Sequence, residues 1–212
     1  MNLQQAIIIF TRYPQAGKVK TRLIDRLGPQ GAASLHDQLT KQVISSIQPL
    51  LQTGQTQLQV AYCGATAQEM TDWLGQDISL TRQQGNDLGK RMQHAFEQAW
   101  QQGAEKVLLI GSDCPGIDAD IMRSGLNALQ THDLVLGPAV DGGYYLIGLH
   151  AHVQGYELLF QRIDWGTAQV LQQTLEQAEQ ASLSYTYTLL PKLHDIDRPE
   201  DLVHLNHYTD AE

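Results

Sequence analysis

Short apolar runs alternate along the chain with longer segments in which apolar residues recur at helical spacing. Ala6–Phe10, Leu58–Cys63 and Val107–Gly111 read as strands. The last is the plainest, because four consecutive apolar residues suit burial on both faces. Ile78–Thr81, Leu134–Leu136, Gly143–Leu149 and Tyr185–Leu190 add four more, and Gly143–Leu149 follows its predecessor after only a short connection. Residues 30–48 predict a helix, with Ala33, Leu35, Leu39, Val43 and Ile47 near one face. Further helices are predicted over Ala67–Leu74, Leu88–Gln102, Ala119–Gln130, Gly166–Ala181 and Pro199–Asn206. Repeated β-α alternation predicts an α/β fold in three layers, a mostly parallel doubly wound sheet with helices on both faces. Ligands of such sheets sit at the carboxyl ends of the strands, so the residues just after each strand are the ones to inspect.

The length of 212 residues fits one domain over 1–212 and leaves little room for a second. A formal charge of −9 argues against a general nucleic-acid binder, which needs a basic face, but it leaves room for a local cationic site. Cys63 and Cys114 are too few for a disulfide framework and form no CxxC pair. The longest apolar stretches are far too short to cross a bilayer, and no basic segment precedes the first. The expected setting is cytoplasmic.

The loop after the first strand concentrates the scarce cations. Arg12, Lys18, Lys20, Arg22 and Arg26 are five of the 14 basic residues, within fifteen positions. Cations at a strand's carboxyl end suit an anion such as phosphate, and Gly17 lets backbone amides approach it; the plainer alternative is a solvated basic turn. Gly17-Lys18 is followed by Val19, so this is no Walker A loop, and a single glycine is no dinucleotide fingerprint. In Gly111-Ser-Asp-Cys-Pro115, Asp113 falls at the sheet edge, where a carboxylate beside a phosphate suits Mg²⁺ or Mn²⁺, or else simply shapes the turn. Asp118 and Asp120 read as helix caps. Asp141-Gly-Gly-Tyr-Tyr145 reads as a tight bend, or as a site where Gly142 and Gly143 leave room for substrate, Asp141 contacts it, and Tyr144 lines a pocket. Asp195 and Asp197 are candidate metal ligands, with capping of the helix at Pro199 as the competing role. Asp87 and Arg91 either order a helix start or line a nucleotide site. The eight histidines are scattered; His204 and His207 pair without a third ligand, which argues against zinc. No Gly-x-Ser-x-Gly elbow occurs.

Six segments occur together in order: Ile-Ile-Phe-Thr-Arg-Tyr-Pro-Gln-Ala-Gly-Lys-Val-Lys-Thr-Arg-Leu, Gly-Asn-Asp-Leu-Gly-Lys-Arg-Met, Gly-Ser-Asp-Cys-Pro-Gly, Asp-Gly-Gly-Tyr-Tyr-Leu-Ile-Gly, Trp165-Gly-Thr and Asp-Ile-Asp-Arg-Pro-Glu-Asp-Leu. The set resembles a bacterial family of GT-A-fold, glycosyltransferase-like proteins labelled radical-SAM/selenodomain-associated transferases, within the nucleotide-diphospho-sugar transferases. The resemblance runs from Ala6 to about Leu202. It implies a nucleotide over the amino-terminal half and a divalent metal near Asp113. Asp113 stands in Ser-Asp-Cys rather than Asp-x-Asp, so Asp141, Asp195 or Asp197 would complete the metal site.

The combined expectation is a metal-dependent transferase using a nucleotide-activated donor, most simply a nucleotide sugar. Arg12, Gly17, Lys18, Lys20, Arg22, Asp87 and Arg91 would bind the nucleotide. Asp113 with Asp195 or Asp197 would hold Mg²⁺ or Mn²⁺. Asp141 would act as base or orient the acceptor, and Gly142, Gly143, Tyr144 and Trp165 would form the substrate pocket. The alternatives are a nucleotidyltransferase that releases pyrophosphate and a non-catalytic nucleotide or phosphosugar sensor. Expected partners are the donor and a small acceptor, with a homodimer left open.

Overall fold

Three consecutive isoleucines, Ile7 to Ile9, have no solvent exposure, because strand β1 (Gln5–Arg12) lies inside the sheet with helices above and below it. The structure is a computed structural model, and it describes residues 4–52, 54–180 and 185–205. After β1 come α1 (Ile24–Leu51), β2 (Thr56–Cys63), α2 (Ala67–Leu74), β3 (Ser79–Arg82) and α3 (Leu88–Gln101). They are followed by β4 (Lys106–Gly111), α4 (Ala119–Ala128), β5 (Leu134–Pro138), β6 (Tyr144–His150), α5 (Val170–Gln180) and β7 (Tyr187–Leu189). Short 3-10 turns occupy Thr21–Leu23, Tyr156–Phe160 and Pro199–His204.

The seven strands run in the order β3-β2-β1-β4-β6-β5-β7. All pairings are parallel except those of β6, which is antiparallel to both β4 and β5. The short link predicted before β6 is the cause, since parallel strands need a crossover of a dozen residues or more. Alternation along β1 divides the core. Ile7 and Ile9 face Val43, Ile47, Met70, Met122 and Leu126 of α1, α2 and α4, while Ile8 faces Met92, Phe96 and Ala178 of α3 and α5.

Several boundaries differ from the sequence reading for local reasons. The helix predicted over 30–48 is the part of α1 beyond a break at Gly28 (φ 71°, ψ 165°), with Pro29 opening the next turn. The helix predicted from Gly166 begins at Val170, because Gly166 has φ 82° and Thr167 Oγ1 donates to the Asp164 carbonyl, which makes a turn. The last predicted helix is a 3-10 turn. Ala181, Asn206 and His207, which ended predicted helices or completed a histidine pair, lie outside the described residues.

A third, smaller cluster matters most for the site. Leu23, Ala32, Leu35 and Leu39 bury against Ile196, which pins the chain after β7 to the start of α1. The loops after β1 and β4 are thereby joined by a third.

Candidate active site at the carboxyl edge of the sheet

At the edge of the sheet, Phe10 of β1 is in register with Gly111 of β4. The next residue of each chain is polar and buried: Ser112 Oγ donates to Thr11 Oγ1 at 3.1 Å. Two polar residues on the buried stripe of α1 extend this contact. His36 Nε2 lies 2.8 Å from the carbonyl of Arg12, which can only accept, so this nitrogen carries the proton. Thr40 Oγ1 lies 3.3 Å from Thr11 Oγ1 and donates to the His36 carbonyl. The other ring nitrogen of His36 lies 3.8 Å from Asp113 Oδ1. His36 and Thr40 escaped the sequence reading, although polar residues in phase with Ala32 on an otherwise apolar helix face were the available signal.

Lys20 changes role. It was expected to be a phosphate cation, but its side chain is 3% exposed and its Nζ lies 2.6 Å from Asp113 Oδ1. It also donates to the Ile196 carbonyl. The inward direction follows from a left-handed backbone at Lys20 (φ 47°, ψ 42°). Burial alone would raise the Asp113 carboxyl, but the Lys20 ammonium and the nearby His36 outweigh it and hold the acid well below its usual range. Asp113 keeps 46% of its side-chain surface open, so the pair is closed on one side only.

The same loop meets the C-terminal segment. The amide of Ile196 donates to the Asp113 carbonyl at 2.9 Å, which ties the backbone next to Asp195 to the loop after β4. Asp195 is half-buried, and burial together with the Asp141 carboxylate pushes its acid up to about 6. Between them, Cys114 is buried, and burial and the surrounding carboxylates push its thiol up, so it is no reactive thiolate. Asp197 departs from the metal-ligand expectation: its carboxylate pairs with Arg22. Asp201, reaching back to the amides of Asp197 and Arg198, caps the 3-10 turn. Among the described residues, no three His, Cys, Asp or Glu side chains are gathered as a metal site, so Asp113, Asp195 and Asp197 do not form one together.

The remaining cations of the first loop are exposed. Lys18 and Arg22 face solvent, Gly17 is left-handed (φ 77°), and Arg12 donates to the Lys18 carbonyl. The Arg22–Asp197 pair is itself exposed, and such pairs contribute about 0–1 kcal/mol, so a phosphate can displace it at little cost. In the loop before α3, Asp87 caps the helix by accepting from the Lys90 amide, and Arg91 Nε donates to the Gly85 carbonyl. Both order the loop. Asp118 caps α4 as expected.

Two clefts open beside Asp141. One, of about 410 Å³, is lined by Arg22, Asp141, Thr167, Asp195, Asp197 and Asp201 among others. The second, of about 210 Å³, brings Asp141, Gly143, Tyr144 and Trp165 together with apolar residues from β1, α3, β4 and α5. Asp141, Gly166 and Thr167 line both. Asp141 Oδ1 also accepts from the Gly143 amide, closing the bend between β5 and β6. Gly142 does not make room for substrate. A Cβ there would stand 2.3 Å from the Ala168 carbonyl oxygen, so the space is taken by the chain entering α5. Tyr145 turns to the other face, where its hydroxyl donates to the Pro191 carbonyl.

The chain is similar to several solved structures. A protein from Desulfovibrio desulfuricans G20 described as a "putative nucleotide-diphospho-sugar transferase" is 34% identical, with a TM-score of 0.88 over 98% of this chain and 89% of that one. The fold, at 10–13% identity, is shared with a CMP:2-keto-3-deoxy-manno-octonic acid synthetase complexed with CTP (TM-score 0.55; 96% and 97% of the two chains) and an inositol-1-phosphate CTP transferase from T. maritima (0.56; 98% and 96%). It is shared equally with a glucosyl-3-phosphoglycerate synthase from Mycobacterium tuberculosis in complex with Mn²⁺, UDP and phosphoglyceric acid (12% identity; TM-score 0.58; 95% of this chain and 73% of that one). No curated protein matches in sequence. A family model matches residues 46–167, more than half of the chain, and the protein therefore belongs to the family described as "Uncharacterized protein conserved in bacteria (DUF2064)".

Proposed function

We propose that this protein is a transferase acting on a nucleotide-activated donor, most simply a nucleotide sugar, with Mg²⁺ or Mn²⁺ as cofactor. One observation carries the reading. The Ile196 amide on the Asp113 carbonyl ties the backbone beside Asp195 to the loop that carries Asp113, and Asp195 and Asp141 share one cleft with Arg22 of the cationic first loop, in a fold shared with nucleotide-using transferases. The resemblance to radical-SAM/selenodomain-associated transferases points the same way.

The donor set suits a hard divalent cation. Asp195 carries a carboxylate that burial and Asp141 make costly to ionise, and a cation removes that cost. Two carboxylates, completed by donor phosphates and water, are the usual complement for such an ion, so a ready cluster of three protein ligands is not needed. When bound, the cation neutralises negative charge on the leaving diphosphate. Lys18, Arg22 and the amides around Gly17 bind the diphosphate, while Lys20 fixes the direction of Asp113. In glycosyl transfer the acceptor hydroxyl attacks the anomeric carbon. The bond from that carbon to the diphosphate breaks, and the nucleoside diphosphate leaves with the bonding pair. The acceptor's proton passes to Asp141, which borders both clefts.

The nucleotidyltransferase alternative, in which an acceptor phosphate attacks the α-phosphate of a nucleoside triphosphate and pyrophosphate leaves, rests on the shared fold alone. A thermal-shift panel of nucleotides and nucleotide sugars, with and without Mn²⁺, tests the common core. A shift that requires nucleotide and metal together supports it, and no shift with any nucleotide sinks it. Product analysis then separates the two reactions, because only the second consumes a triphosphate. Binding without turnover or metal dependence would point to a sensor.

A further inference from the structure

The cleft between α3, β6 and α5 is built unlike a sugar site. Its walls are the rings of Phe10, Tyr144 and Trp165 and the aliphatic chains of Leu88, Met92 and Val170. Asp141 and Thr167 are the polar side chains it presents, since the Tyr145 hydroxyl is turned to the Pro191 carbonyl, and both also border the acidic cleft. The Tyr144 hydroxyl is buried, so the ring is what that residue offers. A sugar pressed against these walls would leave several hydroxyls unpaired, at about 1–3 kcal/mol each.

The cleft is also preformed. Tyr144 and Trp165 stand edge to face, with ring centroids 6.5 Å apart and planes at 85°. Trp165 is set so close to α3 that a Cβ at Gly89 would lie 2.9 Å from its Cζ2. Leu88 closes the rim with 42% of its surface exposed, an apolar residue left in water at the mouth of an apolar space. The volume of about 210 Å³ exceeds the roughly 150 Å³ of an apolar cavity that takes up benzene. It accommodates one substituted ring or a small bicyclic system.

We infer that this cleft binds the apolar, ring-sized body of the acceptor, leaving a hydroxyl at Asp141, so that the transferase modifies a small aromatic or alicyclic alcohol and not a sugar. The inference rests on the transferase reading for the word acceptor, and on the cleft alone for the chemistry bound.

Saturation-transfer NMR on the full chain with 2-phenylethanol and 4-methylphenol, against glucose and glycerol, tests it. The aromatic alcohols should bind and the polyols should not. Leu88→Asp, at an exposed position compatible with folding, should weaken the aromatic alcohols tenfold or more, and Trp165→Ala should do likewise. The inference is overturned if glucose binds and the aromatic alcohols do not, or if neither substitution changes their affinity. It is also overturned if uridine or cytidine displaces them, since the cleft would then hold the donor base. Thermal shifts with UDP and Mn²⁺ on the same samples separate the two claims. A nucleotide shift without aromatic binding removes only the acceptor class. Aromatic binding without any nucleotide shift removes the transferase and, with it, the acceptor assignment.

Discussion

Lys20 Nζ lies 2.6 Å from Asp113 Oδ1, and the lysine side chain making that contact is almost wholly buried. The pair joins the loop after β1 to the loop after β4, and the second bond of Lys20, to the Ile196 carbonyl, adds the C-terminal segment. A single ammonium thus fixes three stretches of chain around the carboxylate proposed to meet the metal.

Replacing Lys20 by Met should therefore destabilise the fold. Removing one partner of a buried pair costs about 3–5 kcal/mol, and the open side of Asp113 puts this case nearer 2–3 kcal/mol, a fall in Tm of roughly 5–10 °C. The pH dependence has a definite sign. The folded acid is held below its unfolded value of 3.8, so its contribution is full above that value and disappears as pH falls through the folded one. The gap between wild type and variant should be widest at neutral pH and narrow below about pH 4. Equal melting temperatures at pH 7.5 would refute the assignment.

Asp195 works in the opposite direction. Its folded acid, near 6, stands above the unfolded 3.8, so its favourable contribution is complete below pH 4 and is lost as pH rises through about 6. At pH 7.5 without metal, Asp195→Asn should be the more stable protein, by about 1 kcal/mol after allowing for solvent screening, or roughly 2–4 °C. With Mn²⁺ and a nucleoside diphosphate the order should reverse, because only the wild type gains from the cation. Melting curves in both conditions check this, and a variant that is less stable in both would contradict it.

Arg22→Ala separates binding from folding. The Arg22–Asp197 pair is exposed, so Tm should move by no more than a degree or two. Loss of a charge-assisted bond to phosphate should weaken nucleotide binding about tenfold to a hundredfold by calorimetry. Unchanged nucleotide affinity would remove the first loop from the donor site.

The glycines offer a paired comparison. Gly142 and Gly166 both have left-handed backbones, at φ 92° and 82°, but only a Cβ at Gly142 meets the chain, at the Ala168 carbonyl. Gly142→Ala should cost roughly 2–4 kcal/mol, while Gly166→Ala should cost only about 1–2 kcal/mol for its backbone conformation. Urea titrations of the two variants test this, and equal losses would mean that the contact with Ala168 is unimportant.

Much of this arrangement was legible from one chain read alone. Runs such as Ile7–Ile9 and Val107–Ile110 mark strands buried on both faces, because only a strand inside a covered sheet has no polar side. From that follow the layered α/β fold and a ligand edge at the strand ends, where Asp113, Asp141 and Asp195 fall in the sequence. The short link before β6 was legible too, whereas its consequence, a strand antiparallel to both neighbours, is seen in the structure.

What tertiary structure alone decided is which of these groups meet. Lys20 sits in a run of cations that reads as a phosphate-binding loop, whereas its left-handed backbone and the packing of Ile196 accompany an inward-turned side chain paired with Asp113. Asp197 reads like Asp195 but spends its charge on Arg22. Gly142 reads as space for a ligand and is filled by Ala168. The apolar cleft draws on β1, α3, β4, β6 and α5, five elements that no local pattern connects. Periodicity records which face of each element is buried, a property of neighbouring residues. Pairing between distant loops depends on strand order and on what packs across the sheet edge, and neither is written in the spacing of any one segment.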